Sequence, residues 1–299
     1  MSASELRSNP DNFCYRHPDR QSFVLCQRCL RTICAECQTQ MPVGVICPEC
    51  LREQQQSSGA PRARRAPRIL RAVRSDDSRP LVTYGIIGLT FFAFVVGLIP
   101  GVGVAVRSTL ALFPPALYPE FTGVFQPWRL FTVLLVHSGF WHVGLNMLAL
   151  WMLGRSLEPM LGRARFLWLY LLSGLGGSVA VVLLGFGSTV VGASGAIFGL
   201  FGALLVIGRH IGANITGIAV ILGINLVITF LPLLLGSLGG GGGVQVSWQA
   251  HVGGLAVGAL VGGIFARTRT IRTRRLQVWL LGGTAAALVA LLAVPLALY

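Results

Sequence analysis

Seven apolar runs follow residue 80, at about 81–99, 130–153, 164–184, 193–209, 214–235, 247–266 and 277–298. Most approach the roughly 20 apolar residues that a helix needs to cross a hydrocarbon core. The expected fold class is therefore an all-α polytopic membrane protein. Its charge content agrees: 11% of the 299 residues are charged and 54% hydrophobic, where a soluble globular chain has about 25% charged residues. The deficit is uneven. Eight of the ten acidic side chains lie in residues 1–80, and only Glu120 and Glu158 follow. A polar head precedes a membrane body, and the length suits two units.

The net charge of +14 comes entirely from arginine, with no lysine in the chain. Outside the head these arginines form short clusters between apolar runs. That pattern fits the positive-inside bias of membrane proteins better than a continuous phosphate-binding face, so no nucleic-acid partner is expected. Arg62 to Arg79, Arg155 with Arg163 and Arg165, Arg209, and Arg267 to Arg275 all fall on one side if the spans alternate. The opposite loops carry Arg107 and Arg129. The expectation is a multi-pass protein of the cell membrane, N-terminus cytoplasmic and C-terminus external. Residues 1–60 contain no apolar stretch of signal-peptide type, which would leave the head in the reducing cytoplasm. Residues 53–80 read as a basic flexible linker. The loop at 100–127 is expected to lie partly in the interface, where aromatic rings settle. The glycine run Gly239–Gly243 reads either as a plain mobile link or as a mobile cap beside a site.

All seven cysteines lie between Cys14 and Cys50. They pair as Cys14-x2-His17, Cys26-x2-Cys29, Cys34-x2-Cys37 and Cys47-x2-Cys50, which suggests metal ligation, not a disulfide framework. Eight such donors are enough for two closed tetrahedral sites, with no position left for a catalytic water. A segment this short with few large apolar residues cannot build a stabilising core, and two structural Zn2+ ions would supply the folding free energy instead. The spacing resembles B-box-like zinc fingers over residues 1–52. That resemblance implies alternating ligation: Cys14, His17, Cys34 and Cys37 on one ion, and Cys26, Cys29, Cys47 and Cys50 on the other. Sequential pairing along the chain is the alternative. Such a head could also dock a cytoplasmic protein partner.

Polar residues inside apolar spans are costly, and each is a functional candidate. Gly192-Ala193-Ser194-Gly195 opens the fourth span. His251 lies in the sixth, with Gly254 and Gly258 on the same helical face. Two glycines there permit a close backbone approach, and the Gly-rich fourth span is the natural partner. That contact would bring the Ser194 hydroxyl to the imidazole, as a nucleophile and its base require. Both residues fall near the external side. In the second span His142 and Asn146 stack at i, i+4 and carry donors able to hold an oxyanion with a backbone N–H at Ser194. His137 lies nearer the external boundary.

Five motifs now stand in order: Trp128-Arg129, His142-x3-Asn146, Gly154-x3-Glu158-x3-Gly162, GASG at Ser194, and Ala250-His251-x2-Gly254-x3-Gly258. Over residues 81–266 the chain resembles rhomboid intramembrane serine proteases. The resemblance implies a six-helix core, followed here by a basic loop and a seventh span in residues 267–299. It implies Ser194 as nucleophile, His251 as general base, and His142 and Asn146 in the oxyanion site. It also implies no catalytic cofactor and substrates that are transmembrane proteins cut in or near a membrane helix. Phe198 stands where many relatives carry tyrosine, so one hydroxyl beside His251 is lost. The rival readings are an inactive rhomboid-like protein that binds membrane clients and a transporter with polar membrane residues along a pathway.

Overall fold

The computed structural model describes residues 10–41, 44–57, 79–235 and 247–298. The chain divides into two compact units, Met1–Ser75 and Asp76–Tyr299. Most of the expected 53–80 linker and the whole Gly239–Gly243 run lie outside the described residues.

The first unit is built from two short antiparallel hairpins, β1 (Phe13–Cys14) with β2 (His17–Gln21) and β3 (Thr39–Gln40) with β4 (Val45–Ile46), and a helix α1 (Pro48–Ser57). Besides six of the cysteines, its buried apolar cluster contains just Ile33 and Ile46 among the described residues. Two isoleucines contribute about 3–6 kcal/mol of burial at most, far below the chain entropy lost on ordering some forty residues. Side-chain packing alone therefore does not account for this fold.

The second unit is helical: α2 (Leu81–Val96), α3 (Val102–Leu110), α4 (Pro119–Thr122), α5 (Arg129–Thr132), α6 (Phe140–Leu161), α7 (Arg163–Leu184), α8 (Ser194–His210), α9 (Thr216–Leu235), α10 (Trp248–Arg267), α11 (Arg274–Leu291) and α12 (Pro295–Leu298). Among the described residues, α7, α10 and the stretch Arg274–Leu298 are each long and apolar enough to cross a membrane. The pair Arg129–Leu135 and Phe140–Leu161 passes the same test jointly but is bent by 97°. Three shorter apolar helices, at Leu81–Val96, Ser194–His210 and Thr216–Leu231, complete the set. The helices expose Phe92, Trp168, Ile224, Val227 and Trp279 on their outward faces, a load of apolar surface that a water-soluble unit would bury. The unit is a polytopic all-α membrane protein, and its core lies where α7, α8 and α10 meet.

The second span corrects its sequence reading. Residues 130–153 do not form one helix; the helix begins at Phe140 and runs to Leu161. The preceding segment is tied sideways, with Gly192 N donating to the Val133 carbonyl at 3.0 Å and Ala193 N donating to His137 Nε2 at 3.3 Å. Near the other end of this helix, Glu158 ties it to α2. Its carboxylate accepts from Val82 N, Thr83 N and Thr83 Oγ1 at 2.7–2.8 Å. It thereby satisfies amide groups that the start of α2 cannot pair for itself.

The connection between α2 and α5 is also ordered. The buried Arg129 guanidinium donates to Gln126 Oε1 at 2.6 Å and to the carbonyls of Ala111 and Ser108 at 2.6 and 2.5 Å. A buried cation is tolerable only when its donors are filled in this way. The strand-like bridge between Leu112 and Val190 then joins this connection to the segment that leads into Ser194.

Candidate active site and metal clusters

Ser194 is the first residue of α8, where helical N–H groups have no partner in a preceding turn. The turn before it carries Gly192 at φ 122°, a conformation that L side chains rarely adopt. A Cβ at Gly192 would also meet the His142 ring 2.8 Å away. Glycine there lets the chain pass beside His142 and turn into α8.

α8 and α10 touch through backbone. A Cβ at Gly254 would lie 2.6 Å from the Gly195 carbonyl carbon, and one at Gly258 would collide with the backbone of Gly199. This contact fixes the distance between the two helix starts. Ser194 Oγ lies 2.8 Å from His251 Nε2. The Phe198 ring stacks on His251 with centroids 4.0 Å apart and planes within 13°. On the other side of the imidazole, His251 Nδ1 lies 2.8 Å from Thr229 Oγ1 of α9.

His142 and Asn146 project from the first turns of α6. Ser138 Oγ and Ser138 N lie 2.9 and 3.4 Å from His142 Nδ1. With the amide donating to Nδ1, the ring proton sits on Nε2, the nitrogen beside Gly192. Asn146 Nδ2 spends one N–H on the His142 carbonyl at 2.8 Å and has a second to give. His137 packs edge-on against His142 at 5.0 Å and holds Ala193 N. A cavity of about 10 Å³ borders Ser194, lined by Val133, Ser178, Gly192 and Ala250 among others; this is room for about one water.

Sequence reasoning did not single out Thr229 or Ser138. The readable signals were slight: a lone threonine one helical turn after Asn225 in an apolar run, and a serine next to His137.

In the first unit the structure gathers two sets of four donors, Cys14, His17, Cys34 and Cys37, and Cys26, Cys29, Cys47 and Cys50. This is the alternating grouping. His17 Nδ1 lies 3.8, 3.4 and 3.5 Å from the sulfurs of Cys14, Cys34 and Cys37, and Cys29 Sγ lies 3.8 Å from Cys47 Sγ. A tetrahedron with metal–sulfur bonds of about 2.3 Å and metal–nitrogen bonds of about 2.0–2.1 Å has edges of roughly 3.5–3.8 Å. Both clusters could hold a metal ion. Burial raises the thiol of Cys14, but backbone hydrogen bonds from Cys34 and Arg16 outweigh it and pull it down to about 6. Cys26 is drawn to about 6 in the same way by the backbone at Cys29 and Cys47. Cys37 is pushed up to about 11 by burial and by Cys14 and Cys34 beside it. Within that first set the neighbouring thiols thus oppose one another's charging.

Fold and site together define a class, a polytopic helical membrane protein with a serine–histidine contact at its helical core. The Rhomboid domain family matches residues 124–268. RHOMBOID-like protein 1 of Arabidopsis thaliana is 38% identical over 148 residues, covering 47% of this chain and 35% of its own length. Rhomboid protease GluP of Bacillus subtilis is 34% identical over 199 residues, covering 64% of this chain and 35% of its own. Putative rhomboid protease YdcA of the same organism is 47% identical over 79 residues, 26% of this chain and 40% of its own. Residues 124–268 of the chain thus carry a Rhomboid domain. The match spans about a third of the length of the first two of these relatives.

Proposed function

We propose that this chain is an intramembrane serine endopeptidase that cuts transmembrane proteins in or near a membrane helix. The observation that carries this reading is the 2.8 Å contact between Ser194 Oγ and His251 Nε2, inside a unit whose outer surface is apolar. Ser194 attacks the scissile carbonyl carbon while its proton passes to His251 Nε2. The carbonyl oxygen becomes an oxyanion and takes hydrogen bonds from His142 Nε2, Asn146 Nδ2 and the Ser194 amide. The C–N bond then breaks, His251 returns the proton to the leaving amine, and water hydrolyses the acyl-enzyme by the same proton route. A carboxylate in the span would be costly, and a Ser–His dyad needs none when packing holds the ring.

On this reading His142 and Asn146 are catalytic through the oxyanion, and the stacked Phe198 orients His251. The head, residues 1–52, carries two structural Zn2+ ions. The linker is 53–80, the protease core 81–266, and the added seventh span lies in 267–299. The protein sits in the cell membrane with the head in the cytoplasm, and the catalytic end of the core faces outward.

The test is covalent labelling of detergent-solubilised protein by a fluorophosphonate, alongside cleavage of a single-span substrate in liposomes. Labelling and cleavage that vanish in folded Ser194→Ala support the reading. Cleavage that persists in Ser194→Ala, or wild-type protein that neither labels nor cleaves, favours an inactive client-binding relative or a transporter.

A further inference from the structure

We propose that Thr229 is a positioning residue that holds the His251 imidazole in the tautomer able to accept the Ser194 proton; this rests on the protease reading above. Thr229 lies on α9 and is 4% exposed. Its hydroxyl oxygen has two neighbours at hydrogen-bond distance, the Asn225 carbonyl oxygen at 2.7 Å and His251 Nδ1 at 2.8 Å.

A hydroxyl has one proton to donate and lone pairs to accept with, and a neutral imidazole carries one N–H. Two arrangements follow. In the first, Thr229 donates to the Asn225 carbonyl and accepts from His251 Nδ1–H. His251 Nε2 is then a lone pair facing Ser194 Oγ at 2.8 Å, and the serine proton points at it. All three protons in the chain from Ser194 to Asn225 find an acceptor. In the second, Thr229 donates to Nδ1, Nε2–H donates to the serine oxygen, and the serine proton loses its acceptor. Among the described residues Ser194 Oγ has no other hydrogen-bond partner than His251. The first arrangement makes every bond, and it is the one in which His251 can act as a base.

Thr229 thereby takes the place that a carboxylate fills in a three-residue triad. Among the described residues the membrane unit has two acidic side chains, Glu120 and Glu158, and Glu158 is engaged at the start of α2. When His251 takes the serine proton, its Nδ1–H already points at Thr229 Oγ1, and that bond becomes charge-assisted. Phe198 complements this from the ring face: stacking fixes the plane of the imidazole, whereas the threonine fixes its proton.

Two Thr229 variants and one spectrum test the inference, with a fluorophosphonate as probe. Thr229→Val keeps the β-branched shape but removes the acceptor. The maximal inactivation rate should fall about ten- to a hundredfold, as expected for a lost hydrogen bond to a charged group. The concentration for half-maximal rate should stay unchanged, because the probe does not touch Thr229. Thr229→Ser should recover to within a fewfold of wild type. Nitrogen-15 spectra of histidine-labelled wild-type protein, with His251 assigned by its loss in His251→Ala, should show Nδ1 protonated.

A wild-type rate in Thr229→Val, a Thr229→Ser no better than Thr229→Val, or an Nε2-protonated His251 in the wild-type spectrum overturns the inference. The spectrum decides the matter even if Thr229→Val fails to fold. Any of these results alongside an unlabelled Ser194→Ala leaves the protease reading intact. Labelling of Ser194→Ala at the wild-type rate overturns both.

Discussion

Gly254→Ala probes the helix contact that sets the distance between Ser194 and His251. The new Cβ would sit 2.6 Å from the Gly195 carbonyl carbon, where two carbons normally rest about 3.5–4.0 Å apart. The Cβ is fixed rigidly to its own backbone and its neighbours are backbone atoms of Gly195, so rotating a side chain cannot relieve the clash. The helices must part by roughly 1 Å. Passed to the site, that shift lengthens the 2.8 Å Ser194–His251 contact beyond the range of a hydrogen bond. A displacement of this size costs on the order of 10²-fold in rate, and overpacking costs about 1–3 kcal/mol of stability. Gly282 on α11 is the matched control, because a Cβ there meets nothing within 4 Å. Gly282→Ala should leave the rate unchanged and stabilise the helix by about 0.5–1 kcal/mol. Both variants would be assayed for liposome cleavage and fluorophosphonate labelling, with helicity and thermal unfolding followed in the same detergent. Wild-type turnover by folded Gly254→Ala would refute the claim that this backbone contact sets the catalytic distance.

Ser194→Ala and His251→Ala should each abolish cleavage, and the double variant should be little worse than either, since the pair acts as a unit; strictly additive losses in single-turnover assays would argue against one shared step. Asn146→Ala should keep measurable activity, down on the order of 10²–10³-fold, because other oxyanion donors persist. Metal analysis of freshly purified protein should find two zinc ions per chain, and chelation should unfold residues 14–50 while the membrane unit stays helical by circular dichroism; one zinc or none would count against the paired tetrahedra. Acidification should release the metal, since protons compete with the cation for the cysteine thiolates and the imidazole. A reporter fused after Tyr299 should appear outside the cell and one at Arg274 inside, and a cytoplasmic signal after Tyr299 would show that the last span does not cross.

The sequence by itself determined the class of this protein. Long apolar runs with charge confined to their ends admit few folds, and Cys-x2-Cys pairs in a segment poor in apolar residues point to metal. Ser194 and His251 stood out because each is a polar residue that a membrane span carries only at a cost, and Gly254 and Gly258 marked the face that would meet a neighbour. Tertiary structure decided where these signals were local or ambiguous. The apolar residues 130–136 look like the start of a span, yet the run is tied to the segment before Ser194 by hydrogen bonds from Gly192 to Val133 and from Ala193 to the adjoining His137, and hydropathy does not record such contacts. The connection around Arg129 reads as a long loop because its order comes from carbonyls of Ser108 and Ala111, which every sequence possesses. The four-donor groupings in the head depend on which hairpins lie side by side, while identical spacing leaves the pairing open. Thr229 was the least legible, since a threonine in an apolar helix usually bonds its own backbone. Only the packing of α9 against α10 gives its oxygen a second neighbour, the imidazole nitrogen whose proton decides whether His251 can serve as a base.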